Sequence, residues 1–270
     1  MTSQADLQTL VRSGKLDEAI EYLNGEVKRN PTAIDRRAQL AELLCIAGNL
    51  ERADTVLNAI TDIDPGAMVG VALFRQLVRA AQARLQFLSE GRLPEFVVKP
   101  DALIEIELRA AIALRERDWS GLARLVAERE EARAAVAGSA DAEAFDDFRD
   151  LDDLAAAHME VFTPTGKYFW IPVASIESIE LRKPESMRDL LWRRVLLSVA
   201  DGPDGEVFVP TIYPATEMSA AQRLGYVTDF ESPAERVSLG KGLRTFLVGE
   251  GSKSIRELGR ISFAGHSARG

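Results

Sequence analysis

Five aspartates stand close together near the middle of the chain, and their carboxylates are the most concentrated chemical feature of the sequence. They are Asp146, Asp147, Asp150, Asp152 and Asp153. Carboxylate oxygens at short spacing are the usual ligands of calcium, but this run lacks the glycine and the closing glutamate of a calcium loop. A solvated segment that caps helices or pairs with Arg149 explains the aspartates better. We therefore expect no metal site here.

Few side chains offer nucleophilic or redox catalysis. The two histidines, His158 and His266, are far apart in the chain, and Cys45 lies within an apolar stretch, as a buried structural thiol would. Residues 249–253 read GEGSK but lack both the second glycine directly before the lysine of a P-loop and a suitable following helix. A surface loop is the better interpretation. The sequence thus predicts a protein that is not an enzyme and needs no cofactor.

The overall charge excludes further classes of function. The net charge is −9 at pH 7, whereas nucleic acids and anionic membrane surfaces are bound through clustered Lys and Arg. Residues 1–19 lack the basic and apolar regions of a signal peptide, and no window approaches the ~20 apolar residues of a membrane span. A single cysteine suits a reducing compartment. We therefore expect a cytoplasmic protein that binds neither nucleic acid nor membranes.

The elements that position these side chains begin with a repeat of 34 residues, in which residues 11–31 align with residues 45–65. The matching pairs are Gly14 and Gly48, Leu16 and Leu50, Ala19 and Ala53, Leu23 and Leu57, Asn24 and Asn58, and Pro31 and Pro65. A 34-residue period with a small residue at the turn, an alanine followed four residues later by a large apolar residue, and a closing proline is typical of tetratricopeptide helix pairs. Helical periodicity continues to about residue 137, so a third, degenerate pair is expected.

Stacked helix pairs leave a groove that commonly binds peptides or helices. The residues predicted to line it are Leu44, Phe74, Leu77, Arg84 and Phe87. For each apolar residue the alternative is a place in the contact between helices. Arg84 follows Arg75 and Arg79 at helical spacing, and the three either pair with acids of a bound helix or form a solvated basic face. The hypothesis is therefore a protein that interacts with other proteins.

After Val161 the pattern changes to short apolar segments separated by Gly and Pro. Residues 201–205 (DGPDG) predict a hairpin turn, residues 260–264 an edge strand, and Trp170 and Trp192 core positions. Residues 145–154 are expected to be helical in their second half. The predicted fold is α+β: an α-helical, tetratricopeptide-like domain over residues 1–140, packed on a small antiparallel β-rich domain, barrel or sandwich, over residues 141–270.

Several of these segments resemble the ImpE/TagJ family of bacterial type VI secretion accessory proteins. Residues 40–65 and 74–96 are similar to its N-terminal region. The resemblance is sharper in the second half, where DLDDL at 150–154 is followed by Glu160-Val161 and by GKYFWIP at 166–172. The segments RDLLWR at 188–193 and GPDGEVFVPTIYP at 202–214 complete the pattern. Together the similar segments extend over nearly the whole chain.

The resemblance implies a cytoplasmic partner of the contractile sheath. The family is associated with binding an N-terminal helix of the small sheath subunit and with the ATPase that recycles contracted sheaths. It contributes no catalytic residues, which agrees with the interpretation from the residues themselves. Two alternatives stay open at this point: a chaperone for exported effectors, and an unrecognised enzymatic or regulatory activity of the β-rich region.

Overall fold

The structure, a computed structural model, describes residues 4–215 and 217–265. Within them the helices are α1 Gln4–Arg12, α2 Leu16–Arg29, α3 Ile34–Ile46, α4 Leu50–Ile63, α5 Met68–Glu90, α6 Ala102–Glu116, α7 Trp119–Ala132 and α8 Ala220–Arg223. The strands are β1 Glu95–Phe96, β2 Gly138–Ala140, β3 Glu143–Phe145, β4 Phe148–Asp150, β5 His158–Phe162, β6 Tyr168–Pro172, β7 Ile176–Leu181, β8 Trp192–Val199, β9 Gly205–Pro210, β10 Thr228–Glu231, β11 Leu239–Gly242, β12 Thr245–Val248, β13 Gly251–Ser254 and β14 Arg260–Phe263.

The two aligned segments form the same helix–turn–helix structure. Gly14 and Gly48 have φ angles of +73° and +83°, the left-handed conformation that ends a helix with little strain only at glycine. In both turns the residue after the glycine donates its backbone N–H to a carbonyl in the last turn of the first helix. Ala19 and Ala53 are fully buried. Their methyl side chains let the paired helices approach closely, and a larger side chain would separate the helices. The repeat prediction is confirmed.

The next helices begin where the sequence predicts, but they do not simply lengthen the stack. Asp101 caps α6 and Asp118 caps α7, each accepting a backbone N–H of the first turn. The α6–α7 pair builds a separate small core with Val237 and Leu239 of the strand-rich region. The third pair therefore packs towards the strands, and its second helix ends at Ala132 rather than near residue 136.

The largest sheet has the strand order β1-β6-β5-β9-β8-β7-β14-β2-β3, and every pairing in it is antiparallel except that of β1 with β6. Smaller sheets pair β10 with β11, and β13 with β12 and β4. The hairpin predicted at DGPDG joins β8 to β9. β14 lies between β7 and β2 rather than at an edge.

Residues 145–154 are not helical, contrary to the expectation from sequence. They form the end of β3, then β4, then a series of turns. β4 pairs with β12, which lies almost a hundred residues further along the chain. The local pattern of acids and apolar residues favoured a helix, and this long-range pairing outweighs it.

The sheets are open, and helices α1–α5 share one continuous apolar core with the nine-stranded sheet, which α5 contacts at β5 and β6. The α+β class is confirmed, with a helical, tetratricopeptide-like region preceding a strand-rich one. The division into domains at residue 140 stays a prediction, and β1 of the helical half already belongs to the large sheet. Within the described residues, no helix combines the length and the apolar character that crossing a bilayer demands.

Candidate functional site

The five residues predicted to line a groove lie where the helices meet the nine-stranded sheet. Leu44, Phe74, Leu77, Arg84 and Phe87 are all less than one tenth exposed. Phe74 packs edge-on against Trp192, with ring centroids 6.0 Å apart, and Phe87 packs against Trp170 at 4.8 Å. In this conformation Phe74 and Phe87 join α5 to β8 and β6, and Leu44 and Leu77 lie in the apolar core that helices and strands share. The role of the five residues in partner binding stays a prediction.

A cleft of about 120 Å³ opens beside this junction. Its helical wall comes from the C-terminal end of α3, the start of α4 and the middle of α5, and its other wall from β8, β9 and the segment after β9. The lining residues are Cys45, Ile46, Gly48, Leu50, Ala81, Arg84, Leu85, Phe162, Leu191, Trp192, Pro210, Ile212, Tyr213, Pro214, Ala215, Met218 and Arg223. Most are apolar, and only two carry a charge. Of the five predicted residues, Arg84 alone lines this cleft.

The rim of the cleft combines an exposed apolar side chain with a fixed cation. Leu85 is 46% exposed although it lies one residue from the buried Arg84. Arg223, at the end of α8, donates a hydrogen bond to the carbonyl oxygen of Ala47 at 3.1 Å. That carbonyl is at the C-terminal end of α3, where the helix dipole favours a positive charge. The strand-rich region thus closes one end of the cleft by capping a repeat helix.

Beneath the cleft, a buried ionic network connects α5 to the sheets. The guanidinium of Arg84 binds both carboxylate oxygens of Glu160, at 2.8 and 2.5 Å, and donates to the carbonyl oxygen of Ile212 at 3.0 Å. Arg244 also binds this carboxylate, at the oxygen that accepts an Nη of Arg84. Tyr168 donates its hydroxyl to Glu160 at 2.5 Å. Glu160 therefore has its acceptors occupied, and it holds Arg84 in place at the floor of the cleft.

Sequence reasoning missed Glu160, although a signal for it existed. The strand β5 reads HMEVF and every residue of it is buried. A carboxylate within such a strand must be paired, because an isolated buried charge is very costly. Burial would raise the pKa of Glu160, but the two guanidiniums outweigh this effect and hold the pKa well below its usual range. The residue is thus a permanent anion that anchors the two arginines.

The aspartate run is mostly buried, which corrects the expectation of a solvated segment. Asp146 is exposed, but Asp150, Asp152 and Asp153 are at most 6% exposed. Asp150 accepts the hydroxyl of Tyr213 at 2.6 Å. Asp153 accepts Arg129 at 2.9 Å and, as the sequence suggested, Arg149 at 3.2 Å.

Among the residues that the structure describes, the carboxylate of Asp152 accepts hydrogen bonds from backbone groups alone. It accepts the N–H groups of Leu154 at 2.7 Å and of Gly240 at 2.8 Å. Burial and the neighbouring Asp150 raise its pKa to about 7. The three buried aspartates thus tie the turns after β4 to distant segments, and they have the hydrogen bonds of structural groups rather than of open cation ligands.

A second buried network surrounds His158. Its ring stacks on Trp170 at a centroid distance of 3.7 Å, and its Nδ1 lies 2.6 Å from a carboxylate oxygen of Glu107 on α6. The other oxygen of Glu107 accepts the backbone N–H of Ala157 at 2.7 Å and lies 3.6 Å from Arg129 of α7. The sequence did not reveal this pairing, because its members are about fifty residues apart. It attaches the α6–α7 pair to β5.

The remaining candidates for chemistry lie apart from one another. Cys45 is buried, and desolvation raises the pKa of its thiol. Gly249–Lys253 forms the turn between β12 and β13 and the first residues of β13. His266 lies outside the described residues. Over residues 4–215 and 217–265, no group of three His, Cys, Asp or Glu side chains is arranged to hold a metal ion.

Comparison with known proteins agrees with both halves of this architecture. Residues 10–85 match a tetratricopeptide repeat model, and residues 142–262 match the model of the ImpE protein. The chain is 26% identical over 259 residues to the type VI secretion system accessory component TagJ of Pseudomonas aeruginosa, covering 95% of this chain and 90% of that one.

A solved structure extends the likeness to the whole fold. The crystal structure of protein VPA1032 from Vibrio parahaemolyticus superposes with a TM-score of 0.91 at 31% sequence identity, over 96% of this chain and 98% of that one. The helical repeats, the strand-rich region and their mutual arrangement are thus shared with a protein that is nearly the same length.

Proposed function

Because this chain belongs to the ImpE/TagJ family, we propose that it is an accessory component of a type VI secretion system and acts there as a non-catalytic adaptor in the cytoplasm. In this proposal it binds the N-terminal amphipathic helix of the small contractile-sheath subunit. It then connects the sheath to assembly or to the ATPase that recycles contracted sheaths. The TagJ relative supports the accessory role, and the chemistry of the cleft supports the adaptor role.

The apolar cleft between repeat and sheet is the observation that carries the proposal. At about 120 Å³ it is smaller than the roughly 300–1,000 Å³ of small-molecule pockets. Its size suits apolar side chains that project from a larger partner, as the anchors of an amphipathic helix do. Leu85 at the rim and Leu50 on the helical wall offer matching apolar contacts.

The state of the ionisable groups favours binding over catalysis. A general base or nucleophile needs a free site within hydrogen-bond reach of the reacting atom. Around the cleft, Glu160 is occupied by two arginines and a tyrosine, and Arg84 and Arg223 each donate to backbone carbonyls. These groups fix the walls of the cleft and are not placed to transfer protons to a substrate.

Titration of a labelled peptide tests the proposal directly. The peptide carries the N-terminal helix of the cognate small sheath subunit, and its fluorescence anisotropy is followed as the full chain is added. We expect saturable binding with a Kd in the micromolar range or below. Leu85→Glu places a charge at the apolar rim and should raise the Kd at least tenfold, which corresponds to about 1.4 kcal/mol.

Leu93→Glu is the matched control. Leu93 is 64% exposed and does not line the cleft, so the same change there should leave the Kd unaltered. If Leu85→Glu binds the peptide like the wild type, the cleft is not the binding site. If the wild-type chain fails to bind the peptide at all, the proposed partner is wrong.

A further inference from the structure

The cleft between repeat and sheet carries charge of one sign. Among the described residues that line it, the charged ones are Arg84 and Arg223, and Asp and Glu are absent. The chain as a whole has a net charge of −9. Charged groups across a protein interface are commonly arranged in complementary pairs. The cleft therefore favours an occupant that has a negative charge beside its apolar part.

The two arginines differ in what balances their charge. Arg84 binds both carboxylate oxygens of Glu160, so its charge is met inside the protein. Arg223 donates Nη1 to the carbonyl oxygen of Ala47 at 3.1 Å and Nε to that of Met218 at 3.3 Å, and both acceptors are neutral groups. The dipole of α3 places about half a negative charge at its C-terminal end, which offsets only part of the charge of the guanidinium.

The carboxylates closest to Arg223 along the chain, and on the neighbouring helix, do not complete the balance. Glu217 is exposed, and Asp229 accepts a side-chain amide of α8 at 2.7 Å. Glu42, one turn before the end of α3, accepts the backbone N–H of Arg188. Within residues 4–215 and 217–265, Arg223 forms hydrogen bonds to carbonyl oxygens and no ion pair. Its charge is thus available to a binding partner.

The guanidinium of Arg223 is held in a fixed position. Its two carbonyl acceptors restrain it, and Gly48 leaves room for it, since a Cβ at residue 48 would lie 3.2 Å from Nη1. The remaining nitrogen, Nη2, makes no hydrogen bond with a described residue and is not buried. A restrained guanidinium with a free donor binds a carboxylate at a smaller cost in side-chain entropy than a mobile one does.

Filling the cleft removes water from this guanidinium. Arg223 lines the same cleft as Leu50 and Leu85, so a helix that inserts an apolar side chain there covers Arg223 as well. A cation that loses water without gaining an opposite charge costs free energy, whereas a carboxylate provides a charge-assisted hydrogen bond. The same step therefore weakens the binding of an uncharged helix and strengthens the binding of an acidic one.

We propose that the cleft selects a helix in which a large apolar residue has, one turn away, an Asp or Glu that binds Arg223. The apolar residue enters the cleft beside Leu85. Residues three or four positions apart project from the same face of a helix, and one turn advances about 5.4 Å, so both contacts are within reach of a single helix. This inference rests on the proposed function, because it presupposes that a helix binds in the cleft.

Neutralised peptides test the contact. The probe is the labelled N-terminal helix of the cognate small sheath subunit. In a set of variants of this peptide, each Glu is replaced by Gln and each Asp by Asn, one at a time. Fluorescence anisotropy gives the Kd of each peptide for the full chain. We expect one replacement, three or four residues from a large apolar residue, to raise the Kd about fivefold or more.

Arg223→Met identifies the group that the acid binds. In this variant the replacement that weakens binding to the wild type should have no further effect. Comparing the two peptides on one variant cancels any general loss that follows from removing the cap of α3. Arg223→Lys keeps the charge and should retain part of the effect of the acid. Arg236→Met removes the same charge from a side chain that is 90% exposed, and it should retain the whole effect.

The outcomes separate this inference from the proposed function. If the wild type binds the parent peptide and every neutralised peptide equally, the contact with Arg223 is wrong while the sheath helix remains the partner. The same conclusion follows if Arg223→Met keeps the full effect of the acid. If the parent peptide does not bind the wild-type chain, the proposed function is wrong and this inference is wrong with it.

Discussion

The helical and the strand-rich regions are stabilised by different means. In the repeats, identical small residues at identical positions allow close packing: Gly14 and Gly48 end the first helices, and Ala19 and Ala53 are fully buried. In the strand-rich region, charges that are distant in sequence meet inside the protein, with Glu160 bound by arginines from α5 and from the segment before β12. Local patterns therefore define the first region, and long-range ion pairs define the second.

Of the changes predicted here, removal of the buried anion Glu160 should lower the stability of the protein most. Glu160→Ala leaves Arg84 and Arg244 buried without their carboxylate, and breaking a buried pair in this way costs about 3–5 kcal/mol. We expect the urea midpoint of unfolding to fall accordingly. Glu206→Ala is the control, because that half-exposed glutamate is 3.8 Å from Arg194 and should change stability by less than about 0.5 kcal/mol. Similar losses in both variants would contradict the network.

The pH dependence of stability sharpens the same comparison. Burial and Asp150 raise the pKa of Asp152 to about 7. A group whose pKa is higher in the folded state binds more protons there, so its contribution to the free energy of unfolding falls as the pH rises from about 4 to about 7. Asp152→Asn should lack this loss, and its stability relative to the wild type should therefore increase over that range, by up to ~1.4 kcal/mol per unit of pKa shift.

Urea unfolding of the wild type and of Asp152→Asn at pH 4.5, 6 and 7.5 measures this difference. The asparagine keeps an oxygen that can accept from Leu154 or Gly240, so the fold should persist. The pKa of Glu160 is lowered, so its contribution to stability is lost as the pH falls. Because both proteins contain Glu160, this effect cancels in the comparison. A relative stability that is independent of pH would show that Asp152 titrates like an ordinary aspartate.

Overpacking the repeat should have an intermediate effect. Ala53→Leu inserts three carbons where the helices touch, which typically costs about 1–3 kcal/mol. Ala72 on α5 is exposed, so Ala72→Leu is the matched control and should be nearly neutral. Thermal unfolding followed by circular dichroism at 222 nm compares the two. Equal melting temperatures for both variants would rule out Ala53 as a packing position.

The smallest expected effect is a difference in stability between equivalent glycine variants of the two repeats. Gly14→Ala and Gly48→Ala impose the same left-handed strain, about 1–2 kcal/mol. A Cβ at residue 14 meets no atom within 4 Å, whereas one at residue 48 lies 3.2 Å from the guanidinium of Arg223. Gly48→Ala should therefore cost more than Gly14→Ala. A larger loss for Gly14→Ala, measured by urea unfolding, would contradict this description of the cleft's edge.

How far the sequence could predict the molecule follows from the same contrast. Period, turn glycines and helix caps act within a few residues, so the repeat, the start of α6 at Asp101 and the β8–β9 hairpin were predictable. The buried position of Asp150 depends on Tyr213 and Arg244, and residues 145–154 were wrongly expected to be partly helical for the same reason. The cleft could not be predicted from the sequence, because its walls come from both halves of the chain.

The short strand β1 has a consequence for the order in which the protein is made. Glu95–Phe96 follows α5 directly, yet its partner in the sheet is Phe169–Trp170 of β6. During synthesis the ribosome adds roughly 5–20 residues per second, so β6 is synthesised several seconds after β1. Over the same interval Phe74 and Phe87 have no aromatic partners, because Trp192 and Trp170 have not yet been translated. The nascent repeat thus presents an apolar face until the strands emerge and cover it.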